Sequence, residues 1–220
     1  MFRQLFTTLK GNDVLDEAFS EFDQMLEHAE WMFGRAVAVL QRDAESDALR
    51  DAIYERDKAI NELLRQIRRR IVRHLTVNPG NDAIAALMLF SVAKDAERIG
   101  DYCKNVFEVG QFYSEKFTVP RYQGPLEDIQ KQTGALFSVV RQAFSGSDDS
   151  LATQAAEEVA SIRTKCDMLI EQLLLDASKM KTHEAVAYSL LARHYKRVAA
   201  HLANIATAVR GKVEDLDFKP

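Results

Sequence analysis

The chain of 220 residues is poor in the residues that interrupt helices, with nine glycines and four prolines. Such a composition favours long helices. Its longest apolar run, residues 83–93, is far shorter than the roughly 20 residues needed to span a membrane. The start MFRQLFTTLKGND is too short and too polar for a signal peptide. We therefore expect a cytoplasmic protein that is peripheral to the membrane at most.

The chain also has only two cysteines and no excess of positive charge. Cys103 and Cys166 have no metal-ligand spacing and both lie in helical patterns, so we expect buried free thiols in a reducing compartment. The formal net charge is −4, and the acidic excess lies within residues 1–120. Because nucleic-acid binding generally needs a basic surface, we expect no nucleic-acid partner.

Catalytic motifs are absent too. No Glu-x-x-His pair of a di-iron helical bundle occurs, and no nucleophile elbow, phosphate loop or hydride-cofactor fingerprint is present. His194 and His201 can share one helix face, but neither has an acid partner nearby in sequence, so we expect them at the surface or at an interface. We find no catalytic residues and expect a protein that is not an enzyme.

Apolar residues recur at alternating steps of three and four along most of the chain, as in helices that pack side by side. This periodicity predicts helices over 13–43, 46–76, 83–115, 125–144, 149–178 and 184–213. The segment FTVPRYQGP, residues 117–125, is predicted to be an extended linker. The sequence thus predicts an all-α fold of two tandem three-helix bundles, with residues 1–118 in the first domain and 119–220 in the second.

One side of the third predicted helix carries a row of polar side chains. At about 100° per residue, the row falls within roughly 80° of arc, apart from the apolar face. Its members are Lys94, Glu97, Asp101, Asn105 and Glu108. Such a row either is a solvated face with ordinary salt bridges or holds a cation.

Two stretches, ERDKAIN (residues 55–61) and AERIGDYCKNVFE (residues 96–108), resemble the PhoU family of phosphate-uptake regulators. The six-helix layout matches that family over nearly the whole chain. The resemblance implies a role in restraining phosphate uptake and the phosphate-starvation response. The implied partners are a phosphate ABC transporter or other phosphate transporter and a sensor kinase, and the implied assembly is a homodimer.

The resemblance also implies metal held by acidic-x-x-x-acidic pairs on adjacent helices. In the first half the matching residues are Asp57, Asn61, Glu97 and Asp101. Oxygen ligands suit Mg, Mn or Ca, and also admit Fe or Zn. Asn61 stands where the family pattern favours an acid, so this set lacks one negative charge.

In the second half the equivalent residues are Arg163, Asp167, Lys196 and Ala200. The two bases would repel a cation, so we expect one metal site at most. The alternative is a metal-free helical scaffold or dimerisation protein with a solvated acidic row.

Two further segments carry open alternatives. Five arginines lie within residues 65–73, where they either offset a helix dipole or form a docking patch for an acidic partner or a phosphate group. The start of the chain has Phe2, Leu5, Phe6 and Leu9 at helical spacing. We expect this segment to fold back onto the bundle, or to dock on a membrane partner or a second copy.

Overall fold

A computed structural model describes residues 13–77, 80, 82–178 and 180–209. These residues form six helices and no strand, which confirms the predicted all-α fold. The helices are α1 (Asp13–Gln41), α2 (Ser46–Val77), α3 (Ala83–Phe112), α4 (Pro120–Gly146), α5 (Asp149–Leu175) and α6 (Thr182–Ala208). No helix in the described ranges combines the length and hydrophobicity needed to cross a membrane. The predicted contacts of residues 1–10 lie outside the described residues.

Helices α1–α3 form one bundle and helices α4–α6 a second, and the two bundles are packed together chiefly through α3 and α6. Their buried apolar side chains form one continuous cluster. Within it, the ring of Phe33 on α1 lies 5.5 Å from that of Phe137 on α4 and 5.7 Å from that of Tyr195 on α6. The predicted boundary between residues 118 and 119 falls in the short segment between α3 and α4, and stays a prediction.

The predicted linker over 117–125 is wrong in its second part, because α4 already begins at Pro120. A proline suits this first helical position, where its missing N–H has no helical partner to lose. Tyr122 is 2% exposed, and its hydroxyl donates to Asp176 Oδ2 at 2.8 Å. Asp176 follows the last residue of α5, so this contact joins the start of α4 to the end of α5.

Two side chains hold the segment that joins the bundles. Arg42 lies in the turn after α1, and its guanidinium donates to the carbonyls of Gly110 and Glu115 at 3.0 Å each. Glu184 is 1% exposed and accepts hydrogen bonds from the backbone N–H of Thr118 at 2.5 Å and from its hydroxyl at 2.8 Å. Arg42 of the first bundle thus holds the C-terminal end of α3, and Glu184 of the second holds the segment that follows it.

Candidate functional site

The predicted metal residues lie on the two helices that face each other in the first bundle. Asp57 and Asn61 are on α2, and Glu97 and Asp101 are on α3. Between these pairs the helices approach closely at Gly100, where a Cβ atom would lie 2.8 Å from Ile60 Cδ1. The glycine of the ERIGD stretch thus brings the two polar pairs to one seam, which we call the α2–α3 seam.

Lys104 lies across this seam and contacts acids on both helices. Its Nζ donates to Asp57 Oδ2 at 2.9 Å and lies 3.6 Å from Asp101 Oδ1. Burial alone would lower the pKa of Lys104, but the hydrogen bond and the charges of the two carboxylates outweigh it and raise the pKa above its ordinary value. The lysine is therefore charged at neutral pH and neutralises part of the acidic seam.

Glu97 and Asn61 are also engaged within their own helices. Lys94 Nζ donates to Glu97 Oε2 at 2.5 Å, and Arg98 Nη1 donates to Asp101 Oδ2 at 3.3 Å. The amide of Asn61 donates to the backbone carbonyl of Asp57 at 2.9 Å. The structure thus brings Asp57 and Asp101 to one ammonium group, while Glu97 has a separate cationic partner.

As they are arranged, these residues do not fit a metal ion. No group of three or more His, Cys, Asp or Glu side chains in the described ranges is placed to hold one. A cation between Asp57 and Asp101 would meet the ammonium of Lys104, which repels it. The predicted metal set of Asp57, Asn61, Glu97 and Asp101 stays a prediction that requires this lysine to move.

The C-terminal end of the polar row borders a groove of about 780 Å³ between α3 and α6, here called the α3–α6 groove. Glu108 lines it and accepts a hydrogen bond from the Tyr54 hydroxyl at 2.7 Å, which raises the pKa of Tyr54. Three apolar side chains line it while remaining exposed, namely Phe112 at 81%, Val186 at 51% and Leu190 at 42%. Clustered exposed apolar side chains are typical of surfaces that bind a partner.

Farther along α3, a buried polar cluster joins the two bundles. Asp95 is 6% exposed; its Oδ1 lies 2.7 Å from His201 Nδ1 and accepts from the Asn204 amide at 2.9 Å. The Tyr102 ring lies 5.8 Å from the ring of His201 and 6.0 Å from that of His194. Both histidines therefore lie at the interface between α3 and α6.

Sequence reasoning missed Asp95. The signal was its position on α3, one turn away from Val92 and Ile99, which are both buried. An acid on the apolar side of a helix needs a polar partner, because burial of an unpaired carboxylate is unfavourable. The sequence alone does not identify that partner.

Two arginines of the run over 65–73 are engaged inside the first bundle. Arg70 Nε donates to Glu21 Oε1 on α1 at 2.8 Å, and the Arg68 guanidinium lies 5.0 Å from the ring centroid of Phe90 on α3. These contacts connect α2 to both of its neighbours. They favour the structural interpretation for Arg68 and Arg70, whereas Arg65, Arg69 and Arg73 are exposed, so the docking patch stays a prediction.

The two cysteines are free and buried, as predicted. Burial raises the pKa of Cys166 to about 12, and raises the pKa of Cys103 as well. Both stay as thiols at neutral pH and belong to the core rather than to a reactive site.

Comparison with known proteins gives one family and one fold. The chain matches the PhoU domain twice, over residues 22–109 and 126–209. Its structure is similar to the crystal structure of PhoU from Pseudomonas aeruginosa, with a TM-score of 0.82 and 24% sequence identity, covering 91% of this chain and 99% of that chain. For the phosphate transport system regulatory protein PhoU from Streptococcus pneumoniae the TM-score is 0.75 and the identity 19%, covering 92% of this chain and 98% of that one. No curated protein matches the sequence.

Proposed function

We propose that this chain, which belongs to the PhoU domain family, regulates phosphate uptake by binding a component of a phosphate transport system. The observation that carries the proposal is the match of both bundles to the PhoU domain. The likeness to a solved protein that is named a phosphate transport system regulatory protein supports it. The activity is binding and not catalysis. The partner is a phosphate transporter or its sensor kinase, and a homodimer stays a prediction.

The α3–α6 groove is the surface that we assign to this partner. Its exposed apolar side chains, Phe112, Val186 and Leu190, have area to bury against another protein. Glu108 places a carboxylate at the same surface, so the matching segment of the partner would be apolar with a basic neighbour. Since the groove is formed by α3 and α6 together, binding there would act on both bundles.

The acidic seam supports a regulator that works without metal. Lys104 already supplies a positive charge to Asp57 and Asp101, so the fold does not need a bound cation at that place. The alternative is metal-linked binding, in which one Mn, Mg, Fe, Zn or Ca ion sits at the α2–α3 seam. That form requires Lys104 to leave the seam when the ion enters.

Phosphate uptake in cells that naturally carry the protein tests this function. We expect that deleting the gene raises uptake of radiolabelled phosphate under phosphate-replete conditions, and that the wild-type chain reverses the change. The Phe112→Glu variant should fail to restore normal uptake, because a carboxylate in the groove would oppose its burial against the partner. Leu174→Glu is the matched control, since Leu174 is also 81% exposed but lies outside the groove.

The possible results separate the function from the surface. Unchanged phosphate uptake after deletion would contradict the regulatory function. Full complementation by Phe112→Glu, at the same protein level as Leu174→Glu, would leave the function standing and show that the partner binds elsewhere.

A further inference from the structure

The second bundle has a groove where its helices carry the counterparts of the acidic seam. The groove lies between α5 and α6 and has a volume of about 640 Å³. Three side chains that line it are cationic, Arg163, Lys196 and Arg197, and one is a carboxylate, Asp167. Its charged side chains therefore carry an excess of positive charge, the reverse of what the family motif would place there.

The two guanidinium groups are available to a ligand. Lys196 pairs with Asp167, so this carboxylate is already engaged. Within the described ranges Arg163 has no ion pair or hydrogen bond, and Arg197 contacts Tyr102 but no carboxylate. Arg197 Nε donates to the Tyr102 hydroxyl at 3.1 Å, which positions the guanidinium while leaving its two terminal nitrogens free of protein partners in the described residues.

Small side chains keep the groove open. Its lining includes alanines on both helices, at positions 156, 160, 200 and 203. The hydroxyls of Thr164 and Thr207 donate to carbonyls of their own helices, at 3.0 Å and 2.9 Å, so they are already engaged. His201 also lines the groove, and its Nε2 is buried without a hydrogen-bond partner among the described residues. A volume of about 640 Å³ lies in the range of small-molecule sites and exceeds what a bare ion fills.

We propose that this groove binds a phosphate group, either as inorganic phosphate or as the head of a phosphate monoester, through Arg163 and Arg197. A guanidinium presents paired N–H donors that match the oxygens of a phosphate, and two such groups suit a dianion. The alanine walls provide apolar surface for the body of a monoester. The proposal goes beyond the regulatory function, because it needs neither the α3–α6 groove nor a protein partner.

Calorimetric titration of the purified full chain tests the site. The probes are inorganic phosphate and glycerol phosphate, each titrated at constant ionic strength. We expect at least one of them to bind, and Arg163→Gln to weaken that binding by about tenfold or more, since a hydrogen bond between charged groups is lost. Arg193→Gln is the matched control, because Arg193 is exposed on the same helix as Arg197 and lies outside the groove; it should bind as the wild type does.

The two probes also separate the sources of the phosphate group. Binding of inorganic phosphate, with or without binding of glycerol phosphate, shows that free phosphate is sufficient as a ligand, and binding of glycerol phosphate alone points to an organic phosphate. Binding of neither would overturn the proposal, as would binding that Arg163→Gln leaves unchanged while circular dichroism shows the variant to be folded. A further outcome is that hexa-glutamate binds in a way that depends on Arg163 while neither phosphate binds. That result would overturn the phosphate site and indicate a docking surface for an acidic protein.

Discussion

At the scale of single residues, the ammonium of Lys104 sets the charge of the α2–α3 seam. Viewed in the sequence, Lys104 is three residues from Asp101 and could belong to an ordinary pair along one helix. In the structure it also reaches Asp57 on the neighbouring helix, at 2.9 Å. The sequence could predict the acids on the seam, but not this bridge, because the distance across two helices depends on how closely they pack.

Replacing Lys104 by Met keeps most of the apolar stem and removes the charge. We expect the free energy of unfolding to fall by about 1–3 kcal/mol, because Asp57 and Asp101 lose a charged hydrogen-bond partner in a half-buried place. Urea unfolding measures the change. Lys58→Met is the control, since Lys58 is exposed beside Asp57 in the sequence and should change little. Equal stability of both variants and the wild type would show that Lys104 does not support the seam.

We expect His194 to contribute to the pH dependence of stability. Burial lowers its pKa below the ordinary value of 6.5; the charge of Glu108 opposes the shift and that of Arg193 adds to it. The folded chain thus binds this proton less readily than the unfolded chain. Its contribution to stability is fully present above pH 6.5 and is lost as pH falls from there through the folded pKa.

We therefore expect the melting temperature of the wild type to fall more between pH 7.5 and pH 5.5 than that of His194→Gln. The glutamine cannot take up a proton, so that part of the dependence disappears. His183→Gln, at a residue that is exposed, is the control for changes in net charge. Identical pH profiles for the wild type and His194→Gln would exclude this histidine as a source of the acid sensitivity.

At the scale of helices, periodicity succeeded where one face of a helix is buried along its whole length. Helix α2 shows this clearly, with Ile53, Ile60, Ile67 and Ile71 all buried at helical spacing. Boundaries were less predictable where tertiary contacts decide them. The rule for a proline in the first turn fits Pro120 as well as Pro125, and the contact of buried Tyr122 with Asp176 near the start of α4 is not visible in the sequence.

Two glycines within helices should respond in opposite directions to added side-chain atoms. Gly34 lies within α1 with no atom near the position of a Cβ, so Gly34→Ala should stabilise the chain by about 0.5–1 kcal/mol. Gly100→Val should destabilise it by about 1–3 kcal/mol, because the Cβ would lie 2.8 Å from Ile60 Cδ1 and the two further methyl groups would add to the volume placed in this buried contact. Urea unfolding of both variants checks the pair. A stabilising Gly100→Val would show that the close approach of α2 and α3 is not needed.

At the scale of the whole molecule, the two repeats have the same helical layout but a different balance of charge on their corresponding faces. The first bundle has acids balanced by Lys104, and the second has the basic groove with Arg163 and Arg197. The six-helix layout and this change of charge could be predicted from the sequence. The packing of α3 on α6 through Asp95 and His201 could not, because a periodic pattern shows which face is buried but not which distant helix covers it.

The central claim is that this regulator works without a bound metal ion. The metal content of the purified chain tests that claim most directly. Elemental analysis should be run on the wild type and on a Glu97→Ala/Asp101→Ala double variant, both purified without chelators. We expect no stoichiometric metal in either protein, and no rise in the wild-type melting temperature on addition of Mn²⁺. A full equivalent of Mn, Mg, Fe, Zn or Ca per wild-type chain, lost in the double variant, would contradict this prediction. It would show that a metal ion displaces Lys104 from the α2–α3 seam.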